Sequence, residues 1–88
     1  MRIKTRAEAV ELAELMISSK QVVARYSKTD VNVTGTFRGK DGELYYEVEE
    51  WNEYTGEGGV WFAEDAFELA RILWNNRKNL TYTDHRTQ

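Results

Sequence analysis

Val31-Asn32-Val33-Thr34-Gly35-Thr36-Phe37-Arg38, then Gly39-Lys40-Asp41-Gly42, then Glu43-Leu44-Tyr45-Tyr46-Glu47-Val48-Glu49 is the stretch on which the fold turns. Val31, Val33, Gly35 and Phe37 alternate with polar neighbours, the period of a strand with one buried face. Asp-Gly favours a tight hairpin because both residues tolerate positive φ. With Asp41 and Gly42 as the two loop residues, Phe37 is expected opposite Tyr46 and Gly35 opposite Val48. The return strand then runs from Leu44 to about Glu53. That register places Val31, Val33, Phe37, Leu44, Tyr46 and Val48 on one face, the expected core. Asn32, Thr34, Thr36, Arg38, Tyr45, Glu47, Glu49 and Trp51 fall on the other, and the parity is self-consistent.

Upstream, Thr5-Arg6-Ala7-Glu8 has capping-box spacing, with the Thr5 hydroxyl facing the Glu8 amide and the Glu8 carboxylate reaching back to the Thr5 amide. Ala9, Val10, Leu12, Ala13, Met16 and Ile17 then share a helical face, so a helix is expected over residues 6–18. Gln21-Val22-Val23-Ala24-Arg25-Tyr26 fits either a helical continuation or a short strand; its adjacent β-branched residues favour the strand, ended by a turn at Ser27-Lys28-Thr29-Asp30.

Downstream, Asn52 to Gly59 reads as a glycine-bearing loop and Val60-Trp61-Phe62 as a brief apolar run. A second helix is expected to start near Ala63, with Glu64 and Asp65 in its first turn. Ala66, Phe67, Leu69, Ala70, Leu73 and Trp74 would line its inner side. Leu80 to Thr83 has the composition of an edge strand, and residues 84–88 that of a flexible tail. The expected architecture is α+β: a single domain over residues 1–83, with two helices on one face of an antiparallel sheet of two to four strands. The element order is α-β-β-β-α or α-β-β-α.

With 88 residues the chain has room for one two-layer core. The absence of cysteine excludes disulfide, zinc-thiolate and thiol chemistry. The basic start Met1-Arg2-Ile3-Lys4-Thr5-Arg6 is followed by Glu8, Glu11 and Glu14 and not by an apolar segment, and no apolar run approaches the roughly 18 residues that span a bilayer. The expected location is cytoplasmic.

Charge is strongly segregated. Residues 1–40 hold eight bases and four acids, residues 41–70 hold ten acids and no base, and residues 71–88 hold four bases and one acid. Basic flanks can fold back on such a segment, Arg38 towards Glu47 and Glu68 beside Arg71. Alternatively, Glu47, Glu49 and Glu53 form an acidic row with Tyr45, Trp51 and Tyr54 among them. Alternate strand residues stand roughly 6.6–6.8 Å apart, so such a row offers evenly spaced negative charge to a basic partner. Tyr45, Glu47, Glu49, Trp51, Glu53 and Tyr54 are therefore the candidate partner-binding residues. Trp51 points to the polar face, where tryptophan is a favoured binding anchor.

Signals for catalysis are sparse. His85, the single histidine, falls in the expected tail, and no serine or threonine has an evident base beside it. Glu47 and Glu49 share a face but would stand on an open sheet. Neither a metal-ligand pattern nor a cofactor motif is present. Gly56-Glu57-Gly58-Gly59 lacks the Gly-Lys-Ser/Thr ending of a phosphate loop.

If residues 21–26 form a strand, the order α-β-β-β-α over residues 5–77 resembles that of double-stranded RNA-binding domains. Gly56 to Gly59 and the helix after it then fall where that family has its glycine loop and helix start. The resemblance implies nucleic-acid binding, for which the basic N-terminal segment, Arg25 and Lys28 are the available cations. In place of the family's lysine-rich helix start this chain has Ala63-Glu64-Asp65, whose charge opposes phosphate. In its small, acidic, proline-free and aromatic-rich character the chain is similar to many phage accessory proteins. The expected function is a non-catalytic interaction or inhibitor module for a basic protein, with nucleic-acid binding or a homodimer paired through an edge such as Leu80–Thr83 as alternatives.

Overall fold

The computed structural model describes residues 2–86. The chain runs α1 (Arg6–Ser18), β1 (Val22–Tyr26), β2 (Thr29–Arg38), β3 (Leu44–Asn52), β4 (Glu57–Ala63), α2 (Ala66–Asn75) and β5 (Leu80–Asp84). The five strands form one antiparallel sheet in the order β4-β3-β2-β1-β5. The fold is α+β, with two strands more between the hairpin and the C-terminus than the simplest expected order.

Thr5 caps α1 by accepting from the Glu8 amide at 3.1 Å. The Glu8 carboxylate takes the Lys4 amide and the Thr5 hydroxyl, both at 3.3 Å, and not the Thr5 amide expected of a capping box. The helix stops where the Ser18 hydroxyl donates to Leu15 O and Ser19 turns to extended backbone. The helix thus ends before Gln21, which is in the turn, and the strand runs Val22–Tyr26 with Val22 and Ala24 buried.

The β2–β3 hairpin departs from the expected register. Asp41 does not take positive φ; Gly42 alone does, at 83°. Gly42 N donates to Gly39 O and Gly39 N to Glu43 O. The loop therefore has three residues, Lys40-Asp41-Gly42, with glycine in the left-handed position such loops require. Phe37 faces Tyr45 instead of Tyr46, and Arg38 faces Leu44. A shift of one residue turns a strand inside out, and the strand corrects it with a bulge. Thr34 and Gly35 together oppose Glu47, after which Val33 faces Val48 and Val31 faces Glu50. The valines keep their place in the core while Phe37, on the turn side of the bulge, moves to the opposite face. In the sequence Gly35 fits the alternation as an ordinary strand position; an interior glycine is also where strands bulge.

Val60-Trp61-Phe62 belongs to β4, paired along its length with β3, so Gly58 and Gly59 are strand and not loop residues. With β4 running to Ala63, α2 cannot start there. Asp65 is its N-cap, accepting from the Glu68 amide at 2.9 Å. Leu69, Ala70 and Leu73 are buried, whereas Phe67, expected on the inner side, is exposed. Asp84, assigned to the tail from sequence, closes β5 opposite Val22, and the His85 amide donates to Gln21 O at 2.9 Å. The tail positions 87 and 88 lie outside the described residues.

All buried strand residues, Val22, Ala24, Val31, Val33, Val48, Ala63 and Leu80, share one face of the sheet. They form a single core with Leu12, Ala13 and Met16 of α1 and Leu69 and Leu73 of α2. The helices pack against each other, α1 over β1 and β2 and α2 over β4. Among the described residues no helix is long and apolar enough to cross a membrane.

Candidate partner-binding face

Among the described residues the second face of the sheet carries no helix. On it β3 presents Tyr45, Glu47, Glu49 and Trp51 in a row, four of the six candidate residues that sequence reasoning placed together. Their neighbours on β4 are Phe62 beside Glu47, Val60 beside Glu49 and Gly58 beside Trp51. On β2, Phe37 stands beside Tyr45, and its ring reaches Phe62 across β3 with centroids 5.1 Å apart. Phe37, Val60, Phe62 and Trp51 are 51%, 54%, 42% and 47% exposed, so the face is an apolar patch crossed by two carboxylates.

Two glycines shape it. A Cβ on Gly39 would lie 2.8 Å from the Tyr45 ring, and one on Gly58 would lie 2.8 Å from the Trp51 ring and 2.6 Å from Glu50 O. Each ring thus lies over a residue without a side chain, which lays the two aromatics down along the sheet. Next to Trp51 a shallow notch of about 240 Å³ opens over Gly58 and Gly59 and is bounded by Glu49 and Val60. At the turn end the Tyr45 hydroxyl donates to Asp41 at 3.3 Å. The charge of Asp41, with desolvation, that hydrogen bond and the nearby Glu64 and Glu43, pushes the phenol above its ordinary value, so Tyr45 stays neutral.

The carboxylates differ in their surroundings. Glu47 accepts from the Thr34 hydroxyl of the bulge at 2.8 Å, which steadies it; Glu49 stands exposed opposite Asn32. Glu53 and Tyr54 lie past the end of β3, in the turn before β4, and belong to a different neighbourhood. Arg25 binds Glu53 at 2.7 Å and lies 3.7 Å from Asp30, and the Lys28 ammonium sits 4.6 Å from the centre of the Tyr54 ring. Arg25 and Lys28, the cations considered for nucleic acid, are therefore engaged by this chain's own acid and ring.

The other expected neutralising pairs do not form. Arg38 is on the helix-side face and donates to Gly42 O at 2.6 Å, away from Glu47, and Glu68 and Arg71 are not within ion-pair distance. Among the described residues, Glu53 alone of the ten acids from Asp41 to Glu68 has a basic partner within 4.0 Å. The negative charge of the middle segment is left facing solvent.

Sequence reasoning missed Phe37, Val60 and Phe62. Phe37 follows from reading Thr34-Gly35 as a bulge. The other two follow from reading Val60-Trp61-Phe62 as a strand with Trp61 inward, since three consecutive apolar strand residues must put some on the outer face. No protein-family model, curated protein or solved structure matches the chain.

Proposed function

We propose that this domain is a non-catalytic interaction module, of the inhibitor or accessory kind, that holds a basic partner protein against the open face of its sheet. The observation that carries the reading is the pairing of four exposed apolar side chains with carboxylates that, among the described residues, have no cation within 4.0 Å. Contiguous exposed apolar surface is costly to maintain and marks contact sites. Tryptophan in a partly formed notch is a favoured anchor. Uncompensated charge around it speeds encounter with a surface of opposite sign and selects against acidic ones. Glu47, Glu49 and Trp51 are the central residues, joined by Phe37, Val60 and Phe62, with Tyr45 at one end. Glu53 and Tyr54 form the margin at the other end, where Arg25 and Lys28 soften the charge.

The test begins with capture from native lysate on the parent chain and on Glu47→Lys/Glu49→Lys, followed by calorimetry with the purified captured protein. The reading expects a partner with a basic surface, at least about tenfold weaker binding by the variant, and weakening as salt rises from 50 to 500 mM. Far-ultraviolet circular dichroism of the variant should match the parent. A partner bound equally by both chains would refute the reading.

A further inference from the structure

The open face ends at a free strand. Among the described residues β4 is paired with β3 on one side only, so every second residue directs its N–H and C=O outward, where another strand could take them. Natural edges are guarded by lysine, proline, bulges or covering segments. β4 is Glu57-Gly58-Gly59-Val60-Trp61-Phe62-Ala63, with neither lysine nor proline. Its register with β3 is unbroken from Ala63 to Glu57. Residues 57–60 are all exposed, and nothing lies within 4 Å of where a Gly59 side chain would be. Glycine in a strand interior leaves room for the close approach of another backbone.

The charge around this edge has one sign. Glu47, Glu49, Glu50 and Glu57 flank it and Glu64 follows it, with no base between residues 41 and 70. We propose that β4 accepts an extended lysine- or arginine-bearing segment of the partner as a sixth strand. The proposal rests on the interaction reading above and specifies the form the partner takes. On the open face its lysines would lie beside Val60 and Phe62, with Glu49 and Glu47 one strand further in, and its alternate residues would fall on the helix side near Gly59 and Trp61. Its backbone would complete the ladder.

A fluorescent seven-residue peptide of alternating lysine and valine is the probe, read by anisotropy against the full chain at 50 mM salt. Two further peptides carry N-methyl groups on all lysines or on all valines, because alternate residues of a strand donate from opposite edges. One methylated set should bind at least about tenfold more weakly than the parent peptide, through lost main-chain hydrogen bonds; the other should stay within about threefold. Gly59→Lys, which guards the edge with a cation and has open space for its side chain, should weaken the parent peptide while leaving the melting temperature within a few degrees. Equal affinity of all three peptides, equal weakening by both methylated sets, or no binding up to about millimolar peptide overturns strand addition. Self-association of the chain that Gly59→Lys abolishes would make a second copy the occupant, and also overturns it. If Glu47→Lys/Glu49→Lys binds the parent peptide undiminished, the acidic-face reading falls. If that variant loses the peptide while methylation has no effect, the face stands and only the added strand is lost.

Discussion

The two faces of this sheet use apolar residues in different ways. Beneath the helices Val22, Ala24, Val31, Val33, Val48 and Ala63, small or β-branched, are at most 6% exposed, and Tyr26, Tyr46, Trp61 and Tyr82 pack half-buried against that core. Outside stand Phe37, Tyr45, Trp51 and Phe62, large rings laid along the strands with Glu47 and Glu49 between them. Small side chains let helices approach the sheet closely and contribute stability by filling space. The rings outside fill no space inside the protein, yet two of them are accommodated over glycines. The difference teaches which residues the fold needs and which the fold only supports.

Substitutions can break that division or sharpen it. The largest effect belongs to the covered side: Leu73→Ala should cost ~2–5 kcal/mol in urea unfolding, the usual result of opening a cavity in a packed core. Phe62→Ala, which removes a larger side chain from the open face, should cost less than ~1 kcal/mol while weakening the partner. Equal losses would mean that the open face is a second core. Next come the two neighbouring glycines of β4. Gly58→Ala must displace the Trp51 ring and press on Glu50 O, so ~1–3 kcal/mol of stability should be lost. Gly59→Ala meets nothing within 4 Å and should be nearly neutral by the same assay.

Thr34→Val keeps the shape of the bulge residue and removes the hydroxyl that donates to Glu47. A loss of ~0.5–1.5 kcal/mol is expected, with Glu47 left free to move. The smallest effect lies at the other edge of the sheet, where Arg86 holds Asp84 by hydrogen bonds of 2.6 and 2.9 Å and lowers its pKa from 3.8 to about 2. A depressed carboxyl pKa contributes stability that is complete above the unfolded value and disappears as pH falls through the folded one. The contribution is therefore present above about pH 4 and lost towards pH 2, and it is small because Arg86 is exposed to solvent and Asp84 only half-buried. Carbon-detected NMR titration should show Asp84 titrating higher in Arg86→Ala, and still below its ordinary value because the amide of residue 86 goes on donating to it. An unchanged midpoint would remove the pair from the account.

Much of this was legible in the chain. Thr5 and Glu8 marked α1, and the alternation from Val31 to Val48 marked the central hairpin. The run of acids free of bases marked the segment that holds the open face. What escaped turned on single residues. Asp41 does not take positive φ, so the loop holds three residues and the register moves by one. Thr34 and Gly35 absorb that shift, and no local pattern separates a bulge glycine from an ordinary strand glycine. Val60-Trp61-Phe62 was too short to show a period, and its pairing with β3 is a long-range fact. Glu53 and Tyr54 sit near Glu49 in sequence but belong with Arg25 and Lys28, because the β1–β2 and β3–β4 turns lie at the same end of the sheet.

The chain's three tryptophans report on three places: Trp51 on the open face, Trp61 towards the core, and Trp74 on α2 beneath Arg77. With 5-fluorotryptophan incorporated, fluorine NMR of the complex with the captured partner reads all three at once. The Trp51 resonance should shift or broaden while Trp61 and Trp74 keep their positions. A shift confined to Trp74, with Trp51 unmoved, would place the partner on the helices and contradict binding at the open face.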